Sequence, residues 1–289
     1  MNFDLIAGVD IGGTHITAAL VNVRNGAILT HSLVRKTVRA DDDADTVIKT
    51  WASAIRNAFS AYHTRIPQQL IGIAMPGPVD YESGISLIKD QGKYECLYGL
   101  NIKQLLAAEL GIAPTSIRMM NDALCFLRGE IAGGAIQGCT SALGITLGTG
   151  LGSAWFSNGK VIDADLWRMP FEGVIAEDLL ASRWFVQRYA LQSGITVENT
   201  RALVDRLPKD PSIAEIFKEF AERLARFIEI ALHKHPSDVI VVGGNISKSH
   251  RLFLPALEAA LKQKNIEAPV RIALLGEDAH IIGAATCWM

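Results

Sequence analysis

The sequence predicts an α/β protein of two similar lobes, and two observations carry that expectation. Residues Leu5–Ile11 form an apolar, partly β-branched run, the pattern of a buried strand, which leads straight into Gly12-Gly13-Thr14. The chain continues Ile16-Thr17-Ala18-Ala19-Leu20-Val21, rich in β-branched residues and without helix signals. The glycines are therefore expected to turn a β-hairpin, not to open a helix as they do in dinucleotide folds. The second observation is a copy of the first. Ser141–Leu147 meets Gly148-Thr149-Gly150-Leu151-Gly152, and Ser153-Ala154-Trp155-Phe156 returns as a strand. Each copy is followed by an Asn-Gly hairpin signal, Asn25-Gly26 and Asn158-Gly159.

A glycine hairpin lets a ligand approach bare backbone, and its N–H groups can face an anion such as phosphate. Asp10, an acid at the end of a buried strand beside that turn, suits a cation that accompanies phosphates. For the first copy alone, a tight turn with a solvated Asp serves as well. Two copies, one in each half, imply two lobes closing on one polyphosphate.

Composition sets the frame. A chain of 289 residues, 49% hydrophobic with a formal net charge of −2, is ample for a core and has no global pull toward nucleic acid or anionic membrane. No apolar run approaches the ~20 residues of a membrane helix. The N-terminus, Met1-Asn2-Phe3-Asp4, has no basic n-region, so no secretory signal is evident. Cys96, Cys125, Cys139 and Cys287 lack CxxC spacing and read as reduced thiols of a cytoplasmic protein.

The remaining elements follow in order. A third strand is expected over 27–36. Asp41, Asp42, Asp43 and Asp45 precede an amphipathic helix through Val47, Ile48, Trp51, Ala54, Ile55, Ala58 and Phe59, where a solvated helix start or a cation site would use the acids. A buried strand over 70–75 ends in the rigid loop Pro76-Gly77-Pro78. Residues 85–98 read as irregular and polar, 102–110 as a short helix capped by Gly111, and 117–120 as a strand. Asn121-Asp122 follows directly, an acid at a strand end that can act as a general base, or a helix N-cap for 123–132; both can hold at once. The spacing of Ile213, Ile216, Phe217, Phe220, Leu224, Phe227 and Ile228 predicts a long helix over 212–231 with one buried face. Pro236 stops it, beside His233 and His235, which suit the helix C-terminus and are too loosely placed for metal ligands. A buried strand over 239–242 ends in Gly243-Gly244-Asn245, either a plain strand-to-helix turn or a site of close approach for a flat group or phosphate. A helix over 252–264, a strand over 270–275 and a small-residue helix over 278–287 close the chain.

In this order, Asp10-Ile11-Gly12-Gly13-Thr14 and Gly148-Thr149-Gly150-Leu151-Gly152 resemble the two phosphate motifs of the sugar kinase/actin/Hsp70 superfamily. Within it the chain is similar nearly end to end to the repressor–ORF–kinase (ROK) family. That resemblance implies two ribonuclease-H-like (actin-like ATPase) lobes, each with a mixed sheet, around an interlobe cleft. The first lobe would span 1–120, completed by the C-terminal helix 278–289, and the second 121–277. It implies ATP-dependent phosphorylation of a hexose or hexose-derivative hydroxyl, glucokinase-like and at O6, with Mg²⁺. Asp10 would reach the metal through water. Gly12, Gly13, Thr14, Gly148, Thr149, Gly150 and Gly152 would hold phosphates, and Gly243 and Gly244 the nucleotide. Asp122 would be the catalytic base and Asn121 a sugar contact. The family's G-x-x-x-P-G segment matches residues 72–77 and gives Gly77 to the sugar site.

The departures are informative. Lys89-Asp90-Gln91-Gly92-Lys93-Tyr94 stands where family members carry Pro-Asn-Leu, with Gln91 or Lys93 as the substitute for the sugar-holding Asn. Asp165-Leu166-Trp167-Arg168 stands where they carry Glu-x-Gly-His, so Asp165 takes the place of a sugar-gripping Glu and Arg168 that of a His that often ligates zinc. Arginine is always protonated and a poor zinc ligand, and the family's Cys-rich segment is missing, so no zinc is expected and the chain resembles the branch that lacks it. A second sugar acid aligns with Asp178; a one-residue slip selects Glu177. The alternatives are a polyphosphate-dependent glucokinase-like enzyme, or a sugar-binding ROK regulator. For the latter, a phosphate strand that begins at Leu5 leaves no room for a DNA-binding helix-turn-helix ahead of it, and no nucleic-acid or membrane partner is expected. Family members are often homodimers; which sugar, and which oligomeric state, stay open.

Overall fold

Both glycine runs turn hairpins. The computed structural model describes residues 4–39, 41–62, 66, 68–90 and 92–289. In chain order it forms β1 (Leu5–Ile11), β2 (His15–Asn22), β3 (Ala27–Ile28), β4 (Val34–Thr37), α1 (Ala44–Ser60), β5 (Ile71–Met75), β6 (Val79–Asp80), β7 (Ile85–Ser86), α2 (Ile102–Leu110), β8 (Ile117–Asn121) and α3 (Asp122–Gly133). There follow β9 (Ser141–Leu147), β10 (Leu151–Ser157), β11 (Lys160–Asp163), β12 (Pro170–Phe171), β13 (Val174–Ile175), α4 (Ala176–Leu180), α5 (Ser182–Ser193), α6 (Thr200–Arg206) and α7 (Ile213–Lys234). β14 (Val239–Gly243), α8 (His250–Gln263), β15 (Val270–Ile272) and α9 (Asp278–Ala285) complete the chain. Among the described residues no helix is long and apolar enough to cross a membrane.

The chain divides into two compact units, Met1–Gln137 with Glu277–Met289, and Gly138–Gly276. The first sheet runs β3-β2-β1-β5-β8 and the second β11-β10-β9-β14-β15. In each, the glycine hairpin is antiparallel, its first strand pairs in parallel with the next strand in line, and that strand pairs in parallel with the one beyond. The same mixed order thus appears twice, as the repeated motif predicts.

In the first unit α1 turns Val47, Ile48, Trp51, Ala54, Ile55, Ala58 and Phe59 onto the sheet, and Asp43 caps it by accepting from the Thr46 N–H at 2.9 Å. α9 lies against β1, β5 and α3 at positions without side chains. A Cβ at Gly8 would overlap the Ile281 carbonyl, one at Gly72 the Ala284 carbonyl, one at Gly129 that of Ala279, and one at Gly283 that of Cys125. Cys125 is buried in this seam. The same contacts group α3, which the sequence reading places at the start of the second lobe from residue 121, with the first unit, because its glycine receives α9.

In the second unit the stripe on α7 is core. Phe185, Phe217, Phe220 and Phe253 are fully buried and meet with ring centroids 4.7–5.4 Å apart, and Trp184 packs on Phe185 at 5.0 Å. Each such ring contributes about 1.5–3 kcal/mol by its burial.

Two expectations are corrected. The strand expected over 27–36 is broken into β3 and β4 by a 3₁₀ turn at Thr30–Ser32. The buried Ser32 hydroxyl accepts from the Leu20 N–H at 2.8 Å and donates to the Leu29 carbonyl at 2.6 Å, so a side chain takes a ladder position from the backbone. The last strand ends at Ile272, short of the expected 275.

The seam predicts a stability contrast. Gly72→Ala is expected to cost at least about 1–3 kcal/mol, read as a lower urea midpoint. Gly13→Ala, with nothing within 4 Å of the added carbon, should leave the midpoint in place.

Candidate active site

Parallel strands collect polar residues at their carboxyl ends, where the chain leaves the sheet and side chains are no longer committed to the ladder. In the first unit Asp10 pairs with Ala74, and Ala74 with Met120, so β1, β5 and β8 end almost level. Beyond that row lie Gly12, Gly13 and Thr14 after β1, Gly77 after β5, and Asn121 and Asp122 at the end of β8. The structure therefore brings all seven together at one sheet edge.

Asp10 is held above the ordinary carboxylate range, first by burial and then, against the field of the His280 imidazole, by the neighbouring Asp122 carboxylate. A buried acid beside a second acid is an arrangement that a hard cation relieves, so the donor set fits magnesium. The Gly12 N–H donates to the His15 carbonyl at 2.9 Å and closes the first hairpin, and the Thr14 hydroxyl lies 2.7 Å from His15 Nδ1. Gly13 is exposed, with nothing within 4 Å of where a Cβ would lie.

Asn121 caps α3, its Oδ1 accepting from the Ala123 N–H at 2.8 Å, while Asp122 Oδ1 accepts from the same N–H at 2.9 Å. The helix-cap reading of this pair holds, and the bond to the Ala123 N–H fixes the direction of the Asp122 carboxylate. Asn121 Nδ2 also donates to the Tyr81 hydroxyl at 3.3 Å, and that hydroxyl donates to the Met75 carbonyl at 2.9 Å, tying β8 to the Gly77 turn.

In the second unit Gly148 and Gly150 close the other hairpin through a 3.0 Å backbone bond, with Thr149 exposed between them. Gly243 pairs with Thr146, and Gly244, at φ +85°, presses against the backbone of Leu147, where a Cβ would overlap. Gly148, Thr149, Gly150, Gly243 and Gly244 thus share the carboxyl edge of this sheet. Gly152 stands apart, inside β10 opposite Thr146.

Glu177 is drawn into this edge. Its Oε2 accepts from the Leu151 N–H at 3.0 Å and its Oε1 from Arg183 at 2.6 Å, and the Ser182 N–H donates to the Gly148 carbonyl at 2.8 Å. Asp178 is more exposed and 3.4 Å from Arg183. Asp165, at φ 49°, accepts from Arg168 Nε at 2.7 Å and pairs with its Nη2 as well, and the Glu177 N–H donates to the Trp167 carbonyl at 3.0 Å. Asp165, Arg168, Glu177 and Asp178 are therefore neighbours. Between the two stretches, the hairpin β12–β13 carries Glu172 at its tip, paired with Arg226 at 2.7 Å and Arg223 at 3.5 Å.

The segment 89–94 is anchored by a residue that the sequence did not single out. Tyr94 is fully buried and donates its hydroxyl to the Gly12 carbonyl at 2.6 Å. Gln91 lies outside the described residues, and Lys93 is half-buried. Tyr81, His280 and Arg183 were equally silent in the sequence: none belongs to a motif, and only their long-range contacts reveal them.

The ROK family model matches residues 6–164 and 174–289. An N-acetyl-D-glucosamine kinase of Photobacterium profundum is 25% identical over 273 residues, covering 85% of this chain and 86% of that protein. A glucokinase of Thermotoga maritima is 24% identical over 318 residues, covering 97% and 96%. The crystal structure of a ROK family glucokinase from Streptomyces griseus, in complex with glucose and AMPPNP, is similar with a TM-score of 0.77 at 23% identity, covering 98% of both chains.

The two acids of α4 are separable by experiment. Glu177→Ala, which strips the Leu151 N–H of its partner, is expected to cost about 1–3 kcal/mol in thermal unfolding. Asp178→Ala, at a half-exposed carboxylate, should stay within about 0.5 kcal/mol.

Proposed function

The chain belongs to the ROK family, and from that membership we propose that it is an ATP-dependent carbohydrate kinase acting on the O6 hydroxyl of a hexose or hexose derivative. The observation that carries the reading is the convergence of Asp10, Gly12, Gly13, Thr14, Gly77, Asn121 and Asp122 at the carboxyl edge of the first sheet. Its relatives include kinases of glucose and of N-acetylglucosamine, which supports a hexose as the acceptor.

Phosphoryl transfer asks a protein for alignment, charge neutralisation and a base. The Gly13 N–H in the first unit and the Gly150 N–H in the second are the donors assigned to ATP phosphates, while the Gly12 and Gly148 N–H groups close the hairpins that present them. The Thr14 and Thr149 hydroxyls join them, and Gly243 and Gly244 are assigned to adenosine. Asp10 would hold magnesium through water, and the metal, when bound, neutralises phosphate charge. Asn121 and Gly77 orient the sugar, with Asp178 as the acid for its ring hydroxyls and Asp165 and Arg168 beside it. Asp122 accepts the O6 proton as that oxygen forms its bond to the γ-phosphorus, and the bond from that phosphorus to the β,γ-bridging oxygen breaks to release ADP. The α3 cap holds the Asp122 carboxylate in place for this step.

A coupled assay of ADP release, run across hexoses and N-acylated hexosamines, tests the reading. ATP-dependent turnover is expected on at least one sugar. Asp122→Asn should lower kcat by about 10²–10⁴-fold while sugar binding survives. Chelation of magnesium should abolish turnover. A chain that turns over no sugar, or a variant as fast as its parent, would remove the kinase assignment.

A further inference from the structure

We propose that Tyr94 is a positioning residue for nucleotide binding, pinning the Gly12–Gly13 peptide of the first hairpin so that the Gly13 N–H is presented to phosphate. The proposal rests on the reading of residues 12–14 as phosphate-facing. A turn of two successive glycines is the part of the hairpin whose peptide plane is least restrained, since neither residue has a Cβ to limit rotation. Tyr94 supplies the missing restraint. Its hydroxyl donates to the Gly12 carbonyl at 2.6 Å. In a planar trans peptide the carbonyl and the following N–H point in opposite directions. Holding the Gly12 carbonyl toward Tyr94 therefore sends the Gly13 N–H the other way, and the surroundings of Gly13 are open.

Tyr94 is built to hold this position. Its ring is fully buried and meets Trp51 edge-on at 5.2 Å. Its backbone sits at φ 51°, a left-handed conformation that costs a non-glycine residue on the order of 1 kcal/mol or more and persists only where the surroundings enforce it. Burial pushes the hydroxyl up to about 12, so it remains a donor across the working pH range. A tyrosine that served packing alone would need neither the strained backbone nor a hydroxyl aimed at a glycine carbonyl.

Tyr94→Phe keeps the ring against Trp51 and removes only the donor. Calorimetric titration of the full chain with magnesium and AMPPNP should show affinity weakened about three- to tenfold, the loss of one hydrogen bond. In steady state the KM for ATP should rise by a similar factor, while kcat and the KM for the sugar stay within about twofold. A merely structural defect would instead lower the active fraction, and with it kcat, at unchanged KM for ATP. Gly13→Val, which fits the open space of the free protein but fills the place of a phosphate, is the companion variant. If Gly13→Val abolishes AMPPNP binding and Tyr94→Phe binds like the parent, the pinning role is overturned and the phosphate reading stands. If both bind like the parent, the phosphate reading falls and the pinning role with it.

Discussion

Close approach of backbone to backbone, without side chains between, is the constraint on which the first unit depends. α9 sits on β1, β5 and α3 because Gly8, Gly72, Gly129 and Gly283 leave its carbonyls and theirs room to approach. The arrangement has a chemical result. It sets His280 near Asp10, where the field of the imidazole partly offsets the upward push of burial on the acid. His280 Nδ1 is itself buried without a hydrogen-bond partner among the described residues, so the ring is placed by packing, against Phe126 at 6.0 Å, and not by a polar network. Asp10, Asp122 and His280 come from three distant parts of the chain, and one helix seam brings them into register.

Each hairpin is braced by a side chain from outside the hairpin, and the two braces differ in kind. At the first, a neutral phenol donates to a glycine carbonyl. At the second, the Glu177 carboxylate accepts from the Leu151 N–H and is in turn paired with Arg183. A bond to a charged group is worth more than a neutral one, about 1.5–3 against 0.5–1.5 kcal/mol, so the second turn is the more firmly held. Glycine turns need such help, since the freedom that admits a ligand also admits disorder.

Much of this architecture was legible in the residues, because it rests on local rules. The hairpins follow from β-branched residues after glycine, the buried face of α7 from its periodicity, and the α3 cap from Asn121 standing before an apolar run. What escaped depends on contacts that no local pattern encodes. Ser32 reads as one polar residue in a strand, yet its hydroxyl reaches back to Leu20 and splits that strand in two. Tyr94 reads as an aromatic in a polar loop. The grouping of α3 with the first unit is not legible locally, because Gly129 looks like an ordinary weak point in a helix until α9 is seen lying on it. For Glu177 and Asp178 the motif could name the pair, but only the Leu151 and Arg183 contacts distinguish their surroundings.

The burial of Cys125 at the α9 seam extends to a general property of the thiols. Cys125 is held well above the ordinary thiol range by burial, Cys287 is pushed up to about 12, and Cys96 and Cys139 are raised as well. The thiolate is the reactive species, so Cys125 and Cys287, enclosed as well as raised, are slow toward maleimides and oxidants at neutral pH, whereas Cys96 is exposed. A cysteine engineered onto an open surface, with an ordinary acidity, would outrun Cys125 and Cys287 in labelling. Fluorophores or spin probes could then be attached at a chosen position with Cys125 and Cys287 left in place, once the exposed Cys96 is replaced.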